Sequence, residues 1–404
     1  MCKPPTVCIL VKIYFMTFLA KTTAGIFFVT SLLSFSSTDS KVKNEHSSQA
    51  VVLQQNPPPK IQAAILLDVS NSMDGLIDQA KAQLWNMVSV MGKAKCNEAT
   101  PQIEIALYEY GRTNNDVKEG YVKQVSSFTT DLDQLSQHLF NLKTNGGQEY
   151  CGHVIYSSIN ELNWDTGAAN YKVIFIAGNE DFLQGDIAFT KACDAAKQKG
   201  VIVNTIYCGD RLNGIAEHWN LAGECGNGSY TNINQDAKLD EIETPYDSML
   251  FSLNEKLNGT YISYGYNGAA GLSAQAKTDK MNYGLNRSSA AKRIAVKGKK
   301  NLYKNSNWDL VDAEADGRIG RIDIKTLPDS LQKKSPEELK QIVKVKSAER
   351  SNIQQQIAET STQRETYITT EKKKNAAANN TATLETEIER IIRQQAKRFN
   401  MQIQ

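Results

Sequence analysis

Asp68, Ser70 and Ser72 place one carboxylate and two hydroxyls at alternate positions in the run Asp68-Val69-Ser70-Asn71-Ser72. These are hard oxygen donors, suited to Mg²⁺ or Mn²⁺ and also to Ca²⁺. Asp and Ser after a strand are also ordinary helix caps, so the motif alone leaves a metal site and a structural turn both open. The residues before it narrow the choice. Ile61 to Leu67 is a near-continuous apolar run, as in a strand buried on both faces of a parallel sheet. Ligands of open α/β sheets collect at the carboxyl ends of the strands, which is where this polar stretch falls.

The elements that must position it follow from patterning. Leu76 to Met91 has helical spacing and ends at Gly92, and Ile103 to Tyr110 alternates like a strand with Tyr121 to Phe128 as its antiparallel neighbour. Helices are expected over Asp131 to Leu142, Val154 to Leu162, Asp186 to Lys199, Ile215 to Ala222 and Asp236 to Leu257. Buried strands are expected at Tyr171 to Ala177 and Val201 to Tyr207, and a short strand at Ser229 to Ile233. This alternation predicts an α/β fold with a doubly wound, mostly parallel sheet and one antiparallel edge strand.

After residue 258 the text changes. Ala274 to Lys304 reads as a basic helix. Pro336 to Lys374 and a second stripe (Leu384, Ile388, Ile391, Ile392, Phe399) read as two amphipathic helices separated by Asn375 to Asn380. They predict a mainly α-helical, coiled-coil-like tail with self-association as its expected use. The organisation is thus a targeting segment over 1–36, a linker over 37–60, the α/β domain over 61–258, a basic connecting region over 259–334 and the tail over 335–404.

From Ile61 to Leu257 the chain resembles the von Willebrand factor type A domain, a Rossmann-like fold with a metal-ion-dependent adhesion site. The resemblance is carried by the opening strand, by Asp68, Ser70 and Ser72, and by the order of elements. It implies two further loops. The second, Lys143 to Gly152, has Thr144 ahead of Gly146-Gly147, with Gln148 or Glu149 where a Thr is usual. In the third, Gly178-Asn179-Glu180-Asp181, Glu180 or Asp181 has to reach in from a displaced position. The implied ligand set is Asp68, Ser70, Ser72, Thr144, Glu149 and Glu180, and the implied cofactor a divalent cation. Carboxylates at Glu149 and Glu180 would hold it more tightly and leave it less electrophilic towards an acidic partner. A retained but metal-free turn is the alternative.

Charge divides as the text does. Residues 272–404 hold 26 Lys and Arg against 16 Asp and Glu, and the first 271 hold 20 against 28, which supports a boundary near Gly271. A start at Met16, an apolar run from Ala24 to Leu33 and small residues at Ser34 and Ser36 make a secretory signal, with an uncleaved membrane anchor as the alternative. The expected location is therefore exported, periplasmic or secreted, with membrane contact only through an uncleaved N-terminus. Five cysteines follow the signal. Cys151 and Cys208 both fall at the carboxyl edge of the sheet and form the expected bridge, whereas Cys96 and Cys225 fall at the opposite edge.

Asp312 to Asp323 imitates a calcium loop but reads better as a polar turn before a strand at Arg318 to Ile324. The basic run Arg287 to Lys304 reads as a solvated face, not a nucleic-acid surface. No nucleophile elbow, phosphate loop or zinc-protease motif occurs, so no enzyme is expected. The function expected is binding of a protein partner through the cation. The alternative is a structural envelope scaffold acting through its tail.

Overall fold

The computed structural model describes residues 59–404 apart from 97, 235, 237–241, 319, 321, 376–383 and 404. The targeting segment 1–36 and nearly all of the linker 37–60 lie outside the described residues. Among those described, no helix is long and apolar enough to cross a membrane.

The chain runs β1 (Lys60–Asp68), α1 (Asp74–Met91), β2 (Ala94–Cys96), β3 (Gln102–Tyr110), β4 (Lys123–Thr129), α2 (Leu132–Asn141), α3 (Cys151–Glu161) and β5 (Tyr171–Gly178). It continues through α4 (Phe189–Gln198), β6 (Ile202–Cys208), α5 (Arg211–Ala216), α6 (Trp219–Cys225), β7 (Asn227–Ile233) and α7 (Asp247–Asn258). Last come α8 (Gly268–Leu285), α9 (Arg287–Lys297), α10 (Leu310–Ala315), α11 (Asp329–Gln332), α12 (Pro336–Asn375), α13 (Leu384–Ala396) and β8 (Met401–Ile403).

Six strands form one sheet in the order β4-β3-β1-β5-β6-β7, parallel except for β4, which runs antiparallel to β3 at the edge. The apolar run at Ile61 becomes β1 because a central strand has both faces covered. Ile61, Ala63, Ile65 and Leu67 point into a core shared with α1 and α2, and Ala64 and Leu66 into a second core shared with α3 and α4. The fold class expected from sequence is the one found.

Four expectations past β7 are corrected. The single basic helix breaks at Asn286, whose side chain accepts from the Ser289 amide and caps α9. The basic run is not a solvated face. Arg293 and Lys297 are buried, Arg293 paired with Asp133 of α2 and Asp279 of α8, and Lys297 with Asp279. The calcium-like stretch begins within α10, with Asp312 bound to Arg350 at 2.9 Å, and no strand is found among the described residues of 318–324. Finally, α12 and α13 do not pair with each other as a coiled coil. The 40-residue α12 packs on α7, α9 and α10, while α13 packs on α1 and β7.

The last correction has a physical cause. The stripe Leu384, Ile388, Ile391, Ile392 and Ala396 belongs to the same core as Ile65, Leu84 and Phe175, so α13 covers the sheet. β8 then pairs antiparallel with β2, matching Met401 to Cys96 and Ile403 to Ala94. Gln395 donates to Asn204 Oδ1 at 2.6 Å and accepts from Tyr171 at 2.9 Å, satisfying polar groups on buried strands. The helical layer is fastened to the same body by Trp85 of α1, which donates to Asn282 of α8 at 2.8 Å.

Candidate metal site

Asp68 is the last residue of β1 and is fully buried. Its Oδ1 accepts the Ser70 amide at 2.7 Å, an Asx-type turn that swings the chain away from the strand. Its Oδ2 is buried without a hydrogen-bond partner. Burial first, and the charge of Glu180 to a lesser degree, push the Asp68 carboxyl up to about 7, against the pull of its bonds to Ser70. An anion in this position lacks a counter-charge.

The second loop is drawn close by glycines. Asn145 donates to Val69 O at 2.9 Å, and Thr113 donates to Gly146 O at 2.9 Å. A Cβ at Gly147 would lie 2.4 Å from Gly111 O, so only glycine permits this approach. The loop thereby delivers Glu149, 6% exposed, beside Gly111, where Asp68 also lies. Glu149 Oε2 is likewise buried and unpartnered. Tyr110, at the end of β3, donates to Ala177 O at 3.0 Å and closes the floor beneath.

Ser70 Oγ and Ser72 Oγ are 3.4 Å apart. The third loop reaches them through Asn179, whose Nδ2 donates to Ser72 Oγ at 3.2 Å and whose Oδ1 is buried and unpartnered. Sequence reasoning missed Asn179 as a ligand candidate. An amide after a strand has no distinctive spacing, and the neighbouring carboxylates are the more conspicuous donors.

The structure brings together Asp68, Ser70, Ser72 and Glu149; Thr144 is turned away to Asp74, and Glu180 reaches Asp68 only through its charge. Thr144 donates to Asp74 at the start of α1, 2.5 Å away. Glu180 is exposed and meets Gln184 at 3.4 Å, while Asp181 is occupied by the Leu183 amide and His218, each at 3.0 Å. Among the described residues no three His, Cys, Asp or Glu side chains converge. The donors that do converge are two carboxylates, two hydroxyls and an amide, all oxygen ligands. Three of their oxygens are buried without a partner, and that arrangement fits a hard divalent cation.

The expected Cys151–Cys208 bridge is absent, and all five described cysteines are free thiols. Cys151 lies in the core under α3 and Cys208 in the core on the opposite face of the sheet. Cys151 directs its thiol to Tyr110 Oη at 3.8 Å.

A mostly parallel six-stranded sheet with one antiparallel edge strand and a polar turn after Asp68 at its carboxyl edge is the arrangement that the resemblance implied. No protein-family model matches the sequence, and no curated protein matches it significantly. Three solved structures illustrate what the chain is similar to. An aerotolerance-related membrane protein from Bacteroides fragilis is 15% identical, with a TM-score of 0.31 over 44% of this chain and 93% of its own. The BatB protein from Bacteroides thetaiotaomicron is 15% identical, with a TM-score of 0.33 over 43% of this chain and 90% of its own. Proximal thread matrix protein 1 from the mussel byssus, with a zinc-occupied adhesion motif, is 11% identical, with a TM-score of 0.33 over 43% of this chain and 42% of its own.

Proposed function

We propose that this is an exported binding protein that engages a protein partner through a divalent cation. Asp68, Ser70, Ser72 and Glu149 would hold the ion, with Asn179 Oδ1 in place of the expected Thr144 and Glu180. The observation that carries the reading is the set of three buried, unpartnered oxygens: Asp68 Oδ2, Glu149 Oε2 and Asn179 Oδ1. Polar atoms left buried and unpaired each cost on the order of 1–3 kcal/mol, and a cation on them offsets that cost. When bound, the cation supplies positive charge at the protein surface to which a partner carboxylate can add. Ser70 and Ser72 orient that surface, and Tyr110 with Gly111 closes it from below.

The test is thermal unfolding of chelated protein with Mg²⁺, Mn²⁺ or Ca²⁺ at millimolar concentration, followed by crosslinked partner capture with and without chelator. A melting rise that disappears in Asp68→Ala, together with chelator-sensitive capture, supports the reading. No rise in wild type would leave the metal-free scaffold in its place. Export is tested separately by N-terminal sequencing of the envelope fraction, where a mature start within a few residues of Ser37 is expected.

A further inference from the structure

Two thiols outside the metal site lie together where α4 packs on α6. Cys193 is fully buried on α4, and its Sγ is 3.7 Å from the carbonyl of Ala222 on α6. Ala222 lies three residues before Cys225, so one helical turn brings Cys225 over the same spot. After burial, Cys225 is the neighbour that acts most strongly on the Cys193 thiol. Cys225 is half-buried and open to reagents, whereas Cys193 is enclosed by the core of that face.

We propose that Cys193 and Cys225 form a disulfide when the protein meets a disulfide donor, which makes this pair a covalent brace between α4 and α6. Cys225, the more accessible of the two, attacks a sulfur of the donor R–S–S–R as its thiolate. This forms Cys225–S–S–R and releases RS⁻. Cys193 Sγ then attacks the Cys225 sulfur, breaking the mixed disulfide and releasing the second RS⁻. The two protons leave with the donor's two thiols. The protein's two thiols are oxidised and one donor disulfide is reduced, so electrons balance. Burial and the adjacent Cys225 hold the Cys193 thiol well above its ordinary pKa, which makes it the resolving group and not the attacking one.

The brace bears on the metal site through α6. Trp219, the first residue of that helix, donates from Nε1 to Glu180 O at 2.8 Å, and His218 just before it meets Asp181 at 3.0 Å. Pinning the far end of α6 at Cys225 therefore steadies the loop that carries Asn179. The bond would close a loop from 193 to 225 and restrict the unfolded chain accordingly.

The experiment uses the full chain in its native state, treated with oxidised glutathione, quenched by alkylation and mapped without reduction. The expected result is a peptide pair joined through Cys193 and Cys225 with the loss of two hydrogens. An unfolding midpoint raised by several degrees and restored by reductant should accompany it. Cys225→Ser should abolish both effects while keeping the reduced wild-type midpoint. Recovery of both residues alkylated, or of Cys225 stopped as its glutathione adduct, would overturn the proposal. So would Cys225 joined to a different cysteine. None of these outcomes depends on a cation, so failure here leaves the metal reading intact.

Discussion

Asp68 and Glu149 crowd the same point beside Gly111: a Cβ placed there would lie 2.8 Å from Asp68 Oδ1 and 2.8 Å from Glu149 Cγ. Gly111 also has φ of +81°, a conformation that L side chains rarely adopt. Gly111→Ala is therefore expected to push the two carboxylates apart and to strain the turn by about 1–2 kcal/mol. Calorimetric titration should show loss of cation binding, while the far-ultraviolet circular dichroism spectrum stays that of wild type.

The chelated protein should lose stability as pH rises from about 4 to about 7. Burial disfavours the charge of the Asp68 carboxyl and pushes it up to about 7 in the fold, from its ordinary 3.8. Between those values the folded state binds more protons than the unfolded one, so the unfolding free energy falls with increasing pH. Three units correspond to an upper figure of about 4 kcal/mol for a fully buried group. Asp68→Asn should flatten this slope in urea titrations taken at successive pH values. An unchanged slope would mean that Asp68 is not its source.

Arg350 of α12 binds Asp309 at 2.7 Å and Asp312 at 2.9 Å, and it also donates to Thr260 O at 2.9 Å. All three charged groups are buried. Arg350→Ala would strand two carboxylates and is expected to destabilise the protein by about 3–5 kcal/mol. Replacing Arg350, Asp309 and Asp312 together with apolar residues of similar volume should recover most of that loss, measured by denaturant unfolding.

Ile391 sits on α13 and is fully buried against the sheet. Ile391→Asp is expected to unfold the α/β body, not merely to loosen a tail. Hydrogen exchange of β1 and β5 reports it, since an independent tail would leave their protection unchanged.

Much of the α/β portion was legible because its signals are local. Ile61 to Leu67 is apolar without interruption, so it had to be a doubly covered strand, and Asp68 had to end it. Thr144 and Glu149 could not be ranked in the same way. The choice depends on Asp74 lying opposite Thr144 and on Gly147 passing close to Gly111, contacts between segments that share no spacing rule. The stripe on α13 was visible, but its partner was not. Amphipathic periodicity reports that a face will be buried and says nothing of what buries it. Met401 to Ile403 had no strand signal of its own, and its identity as β8 comes from pairing with residues about three hundred positions earlier.

That pairing sets a schedule for synthesis. β1, β3, β5 and β6 leave the ribosome early with α1 and α2 to cover part of one apolar face, and the rest of that face waits for Leu384 to Met401, which follow only after the whole of α12 has been made. Closing so long a loop is slow, and an open apolar face is prone to aggregation while it waits. The nascent domain therefore waits through the synthesis of α7 to α12 with its sheet incompletely covered, a period in which a chaperone has the open part of that face to hold.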